Sequence, residues 1–363
     1  MWPDRRLMDI LQIEHPLVLA PMAGIGTVEL AASICAAGGL GSIGCAGMQP
    51  ELTAKTILAL RALTDKPINV NFFCHVQAKA DAAREQACRD RLSPYYCELG
   101  IHSELPHPRV DVAPFDDTMC RVVEDTKPEV VSFHFDLPDS ALLDRVKAAD
   151  CRVMASATTV AEALWLEARG VDIIIAQGYE AGGHRGMFLG PNLNRASASQ
   201  PGTLALVPQV VDAVSVPVVA AGGIGDGRGI AAAFALGAAG TQIGTAYLLC
   251  PEAATPSLYR DALRQAGADA TFLTNVFTGR PARILVNRLA LEVGPISDTL
   301  PDFPLPMGEL APLRAMAEQK GNSDFTPFWS GQAAPLGREM PAEALTLRLV
   351  EEAIERFKQL NSF

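Results

Sequence analysis

Eight apolar runs recur along the chain at unequal intervals. Leu17–Gly24, Leu40–Cys45, Pro67–Cys74 and Val130–Phe135 come first, and Arg152–Ala157, Asp172–Tyr179, Val216–Gly223 and Gly240–Leu248 follow. Each is apolar almost throughout rather than alternating with polar residues, which predicts parallel strands buried on both faces. Between them, Val28–Ala37, Leu52–Leu63, Ser140–Ala149, Val160–Arg169 and Gly229–Leu236 have helical spacing. Alternating strand and helix implies a parallel sheet. Eight units predict an α/β fold closed into a (β/α)8 TIM barrel, although an open doubly wound sheet shares the alternation. Residues 75–117, rich in Pro and charge, read as an insertion after the third strand. Residues 249–363 read as a mainly helical C-terminal extension, with a Pro-rich stretch (Pro295–Pro312) and a terminal amphipathic helix near Ala342–Gln359. The expected organisation is a barrel over residues 1–248, with the extension packing on it and helping to close a substrate pocket.

In such a barrel the chemistry sits where the strands end. Those positions hold Pro21-Met22-Ala23-Gly24, Asn71-Phe72-Phe73, His134 and Asp136, Gln177 through Gly186, Ala221 through Gly229, and Gln242-Ile243-Gly244-Thr245. Small and amide residues suit a flat ligand lying against backbone. The loops after the last two strands of a barrel commonly bind phosphate, because glycines expose N–H groups to it. Gly223 and Gly244-Thr245 fit that role. GGIGDGRG also reads as a tight turn into a helix capped by Asp226, and it does not match the Rossmann spacing.

His184 follows two glycines at a strand end, where a neutral imidazole could remove a carbon-bound proton. An exposed loop histidine is the competing reading. His134, in Ser132-Phe133-His134-Phe135, reads first as a satisfied core histidine that could also line the pocket. His15, His75, His102 and His107 show no metal-ligand spacing, and no metal is expected.

Composition narrows the functional classes. The 363 residues suit one large barrel. A net charge of −11 argues against nucleic acid or an anionic membrane as partner. No apolar stretch is long enough to span a bilayer, and MWPDRRLMDILQIEH lacks the features of a secretory signal. Eight scattered cysteines without a Cys-x-x-Cys pair predict reduced thiols and a cytoplasmic enzyme.

Assembled, the segments LAPMAGIGTVELAASICAAGGLGSIG, INVNFFC, VVSFHFDLP, AQGYEAGGHRGMF, VPVVAAGGIGDGRGIAAAFALGAAGTQIGTAYL and FWSGQAAPL resemble the class I nitronate monooxygenases, formerly 2-nitropropane dioxygenases. The resemblance implies non-covalent FMN, contacted by Met22, Ala23, Gly24, Asn71, Gln177, Gly182, Gly223, Gln242, Ile243, Gly244 and Thr245. It implies His184 as the catalytic histidine and a substrate pocket involving His134 and Phe303. The implied activity is oxidation of alkyl nitronates such as propionate 3-nitronate by O2 through a flavin semiquinone, with neutral nitroalkanes as substrates of some members. Partners would be these small molecules alone, in a monomer or homodimer. Asp136 stands where the family usually has Gly, and Phe303 where it often has Tyr. The alternative on the same barrel is an NAD(P)H-dependent FMN reductase of quinone or enoyl type. A non-redox Schiff-base barrel would need a lysine at a strand end, and none of the eight runs ends in one.

Overall fold

The computed structural model describes residues 1–79, 81–101, 110, 112–190 and 192–360, with the side chains of 193 and 195 left aside. His102 and His107 lie outside the described residues. Eleven strands form among these residues. β1 (Leu17–Leu19), β2 (Gly41–Gly44), β3 (Ile68–Phe73), β4 (Val130–His134), β5 (Arg152–Ala157) and β6 (Ile173–Gln177) precede the short β7 (Gly183–His184). β8 (Val218–Ala221), β9 (Gly240–Ile243), β10 (Thr271–Thr274) and β11 (Ala282–Leu285) follow.

Eight strands pair in the order β1-β9-β8-β6-β5-β4-β3-β2, all in parallel. A parallel bridge between Val18 and Leu40 brings the two ends of this sheet together, so it is a closed barrel rather than an open sheet. The runs predicted as strands are these eight. Their Val and Ile side chains are buried on both faces, as at Ile173, Ile174 and Ile175. Helices over Val28–Ala36, Pro50–Leu63, Ser140–Ala148, Val160–Glu167 and Gly227–Ala235 lie between them.

The strands end earlier than the apolar pattern does. β1 stops at Leu19, because the chain then turns back at Pro21–Gly26 with Gly26 N–H donating to Met22 O at 2.7 Å. β9 stops at Ile243, and Thr245–Tyr247 forms a 3-10 turn. Asp226 caps the helix that begins at Gly227, accepting from Arg228 and Gly229 N–H.

The extension contains the expected terminal helix, Ala342–Leu360, and also the hairpin β10–β11, which the apolar pattern did not announce. β11 pairs with β7 on its other side, Ala282 opposite His184. The insertion contributes the helix Ala82–Leu99. That helix packs on the extension, with Cys88, Leu92, Tyr95 and Tyr96 buried against residues such as Leu289, Leu313 and Phe325. Arg84–Asp302 (2.7 Å), Arg89–Glu309 (2.9 Å) and Arg288–Glu98 (2.7 Å) pair across the same contact. Insertion and extension thus form one roof over the strand ends.

Candidate active site

The barrel side of the site is mostly backbone. Gly222 and Gly223 sit at φ +108° and +72°, and Gly24 at +77°, where L side chains are strained. A Cβ on Gly244 would lie 3.1 Å from the Ala20 Cβ and 3.9 Å from the Met22 sulfur, so the loops after β1 and β9 nearly touch. Gln242 keeps a buried Oε1 with no hydrogen-bond donor among the described residues. A buried acceptor is rarely left unbonded, and a ligand N–H would satisfy it. Thr245 Oγ1 accepts from Gly331 N–H at 2.9 Å, which ties the extension to this rim. A cavity of about 460 Å³ opens beside Gly222, Gly223, Thr203 and Gln332. The loops after β1 and β9 therefore meet at this rim, and Gly222 and Gly223 after the neighbouring β8 line the cavity, a cradle made largely of glycine backbone.

Three further predicted contacts hold the rim itself. Gln177 spends both ends of its amide on one loop: Nε2 donates to His184 O at 3.0 Å, and Oε1 accepts from Gly186 N–H at 2.8 Å. Asn71 Nδ2 donates to Ser132 O and Oγ at 3.1 and 3.0 Å. A Cβ on Gly182 would meet Gly331 N at 2.5 Å, so glycine lets the segment Ser330–Gly331 pass. Arg185, fully buried, donates to Gln200 Oε1 and to the carbonyls of Gly178 and Gln177, and closes the same loop.

His184 stands among rings. Its centroid lies 6.0 Å from Phe73, 5.5 Å from Phe135, 5.4 Å from Phe303 and 5.2 Å from Trp329. Nε2 is 3.0 Å from Thr278 Oγ1, which lies 3.2 Å from Arg280 O. A hydroxyl has one proton. When Thr278 gives it to the carbonyl, which only accepts, it must accept from His184 Nε2–H. Nδ1 is then the basic nitrogen, and it has no hydrogen-bond partner among the described residues. Burial, and then the nearby His134, Arg280 and His75, push the His184 pKa down to about 3. The imidazole is therefore neutral at physiological pH.

His134 is differently placed. Nε2 bonds His184 O at 3.2 Å and Nδ1 bonds Ser156 Oγ at 3.1 Å. Because the carbonyl can only accept, Nε2 carries the proton and Nδ1 accepts from Ser156. Both nitrogens are committed, which is the satisfied histidine read from the sequence. Burial takes its pKa down to about 3. It supports the His184 backbone from below, as Gln177 does from the side. Phe303 reaches the site because Gly279, at φ +85°, leaves no Cβ to meet Pro301 O.

The chain is similar to known proteins along nearly its whole length. The sequence profile described as nitronate monooxygenase matches residues 4–352. A Pseudomonas aeruginosa nitronate monooxygenase is 44% identical over 349 residues, 96% of this chain and 98% of that protein. The chain belongs to the nitronate monooxygenase family. A second nitronate monooxygenase, from Paraburkholderia phytofirmans, is 42% identical over 363 residues, 99% of this chain and 98% of that protein. Among solved structures, the nitroalkane oxidase from Streptomyces ansochromogenes matches with a TM-score of 0.88 at 36% identity, over 98% of this chain and 99% of that one. FabK from Thermotoga maritima matches with a TM-score of 0.73 at 28% identity, over 100% and 99%. Membership in the nitronate monooxygenases makes the chain an oxidoreductase.

Several side chains of this candidate site are not marked by the sequence pattern. Thr278, Arg280 and Trp329 lie far along the chain from His184, outside any strand end of the barrel. Phe135 was treated only as the end of an apolar run. The signal that could have found the first two is Thr278-Gly279-Arg280 itself, a glycine turn carrying a cation just before a short apolar run. No helix among the described residues is long and apolar enough to cross a membrane.

Proposed function

We propose that the chain is an FMN-dependent monooxygenase that oxidises alkyl nitronates with O2. The observation that carries this reading is His184: a neutral histidine, tautomer set by Thr278, standing in an aromatic chamber beside a cradle of glycine backbone. The cradle fits FMN in two respects. The orphaned Gln242 Oε1 is an acceptor for a ring N–H, and the loops at Gly223 and Gly244-Thr245 suit a phosphate. The late glycine loops and the lack of a Rossmann spacing favour FMN over FAD. FMN, when bound, supplies the electron acceptor for the nitronate and passes the electrons on to O2.

The chain's own groups do the rest. Phe73, Phe135, Phe303 and Trp329 exclude water and present apolar faces to the substrate's alkyl part. A nitronate is already an anion and needs no deprotonation. A neutral nitroalkane has to lose its α-proton first, and His184 Nδ1 is the base in reach of the chamber. Gln177 and His134, both bonded to His184 O, hold the base in place.

Anaerobic mixing tests the reading. Propionate 3-nitronate should change the visible spectrum of the bound flavin within the mixing time, and NADH should not. Rapid bleaching by NADH with no response to the nitronate would establish the reductase alternative. Heat-released cofactor should chromatograph as FMN; FAD would contradict the assignment of the phosphate loops.

A further inference from the structure

Arg185 follows the base in sequence, and its bonds begin a buried chain that ends on a carboxylate. Arg185 can only donate, so the amide oxygen of Gln200 faces its Nε, at 2.7 Å. The amide nitrogen of Gln200 is thereby turned to Thr158 Oγ1 and donates to it. That hydroxyl has one proton, and it goes to Glu162 Oε2 at 2.7 Å. Oε2 also accepts from Thr158 N–H at 2.7 Å. Oε1 accepts from the N–H groups of Phe188 and Leu189 at 2.8 and 3.2 Å. Glu162 thus faces donors alone, which suits a carboxylate that only accepts.

Glu162 does more than cap its own helix. Thr159-Val160-Ala161-Glu162 opens the helix Val160–Glu167 in the manner of a capping box, with Glu162 N–H bonded to Thr159 Oγ1 at 3.2 Å. A capping box uses the carboxylate on the backbone at its own helix start. Here one oxygen does so, and the other crosses to residues 26 and 27 positions further along the chain. Glu162, Thr158 and Arg185 are fully buried, and a buried carboxylate is costly unless its oxygens are bonded. Burial takes the pKa values of Arg185 and Arg280 down to about 10, and Glu162 is the foremost acid opposing the fall at each. One carboxylate therefore serves two cations and two segments of backbone.

These bonds grip the segment that carries His184 at both ends. Arg185 Nη1 and Nη2 donate to Gly178 O and Gln177 O, where the segment leaves β6. Phe188 and Leu189 are held on Glu162, where it leaves the site. Between them Met187 O accepts from Arg280 Nη2 at 2.8 Å. No bond of this chain ends on the loops at Gly222-Gly223 or Gly244-Thr245, so it serves the base and not the cradle.

We infer that Glu162 is a positioning residue for the base. It holds the His184 segment directly at Phe188 and Leu189, and through Thr158, Gln200 and Arg185 at Gln177-Gly178. It does not touch substrate; it acts by keeping His184 Nε2 on Thr278 and Nδ1 free. The effect on turnover rests on the reading of His184 as a base, whereas the effect on the imidazole itself does not, and the test separates the two.

Glu162→Gln keeps the shape but turns an amide NH2 toward N–H donors. Wild type and variant, both checked for flavin content, are compared by nitrogen NMR of isotope-labelled histidines, with the His184 signals assigned from their loss in His184→Asn. Wild type should show His184 as one tautomer, protonated at Nε2. The variant should show a mixture of tautomers at His184, while His15, bonded to Trp2 far from the site, keeps its signals. Turnover of nitroethane should fall about 10- to 100-fold in the variant, the scale of a base displaced by about 1 Å. Turnover of ethyl nitronate, which needs no proton removed, should fall by less than about threefold. Thr158→Val, which removes only the hydroxyl link, should move both readouts the same way by less, and serves if the Gln variant does not fold. Glu167→Gln, on the same helix with its carboxylate on Ser215 and Val216 N–H, should change neither. Unaltered His184 signals in a flavin-bound Glu162 variant, or equal losses on both substrates, would overturn the role of Glu162. The spectra need no substrate, so they decide that role even if wild type turns over neither compound; that outcome would sink the proposed function alone.

Discussion

The floor of the site is backbone and small side chains; its roof is rings and ions. The floor comes from loops that each follow a barrel strand, and the pairing of β1 with β9 and β8 with β9 fixes their spacing. The roof comes from segments distant in sequence: the insertion helix, the hairpin β10–β11, and the loops carrying Phe303 and Trp329. It is held by a second core around Leu313 and Phe325 and by ion pairs on its surface. The exposed pairs contribute little each, so the apolar core and the β7–β11 pairing hold the roof. The difference predicts a division of labour. Damage to the floor should remove cofactor from every reaction, whereas damage to the roof should change which substrates react and at what pH.

The largest effect tests the floor. Gly244→Val adds branches where the first methyl already meets Ala20 at 3.1 Å. We expect near-complete loss of retained flavin with the circular dichroism spectrum unchanged. Normal flavin content in that variant would remove Gly244 from the cradle.

The next falls at the seam. His184→Asn should keep FMN and lose about 10²–10⁴-fold on neutral nitroalkanes, if the wild type uses them, since general-base catalysis contributes about that much. Nitronates, already ionised, should lose much less. Near-wild-type turnover of both forms at matched pH would reject His184 as the base.

A third prediction concerns acid. His75, His134 and His184 have pKa values lowered by burial to about 4, 3 and 3. Unfolded, each would return to about 6.5. Their contribution to stability is complete above about pH 6.5 and is lost as the pH falls toward 3–4, because the unfolded chain binds more protons in that window. Urea midpoints measured from pH 7 to pH 4.5 should fall with a slope approaching three protons. His75→Gln should remove one proton's worth of that slope. A flat profile would mean that these rings are not buried as neutral groups.

The smallest effect concerns one backbone angle. Asp136 adopts φ +126°, a conformation that suits glycine. Such strain costs roughly 1–3 kcal/mol, offset by about 0.5–1 kcal/mol for the added freedom of a glycine. Asp136→Gly should therefore raise stability by about 1 kcal/mol, read as a higher urea midpoint at pH 7. A lower midpoint would show that the Asp136 carboxylate contributes more in its place than the strain costs.

The floor was legible in the sequence and the roof was not. Leu17–Leu19, Val218–Ala221 and Gly240–Ile243 lie inside apolar runs that read directly as strands, and the glycines at 222–223 and 244 mark the turns that follow. His184 was found because it sits a few residues beyond Gln177. Thr278, which sets its tautomer, and Arg280 follow a hairpin strand whose pattern is too short to register. Gln177 and Gly182 stood out as residue types, but the bonds to the His184–Gly186 loop and the close pass of Gly331 exist only in three dimensions.

The sequence by itself determined eight alternating strand and helix units, their order along the chain and the composition of the residues at the strand ends. Those depend on local periodicity and on turns that one or two residues dictate. Tertiary structure alone decided that the barrel closes between Val18 and Leu40, that the insertion and the extension meet over it, and that His184 Nε2 faces Thr278. Each of these joins groups from separate parts of the chain. Contacts of that kind arise from how packed elements fit together, and no periodicity along a single segment records them.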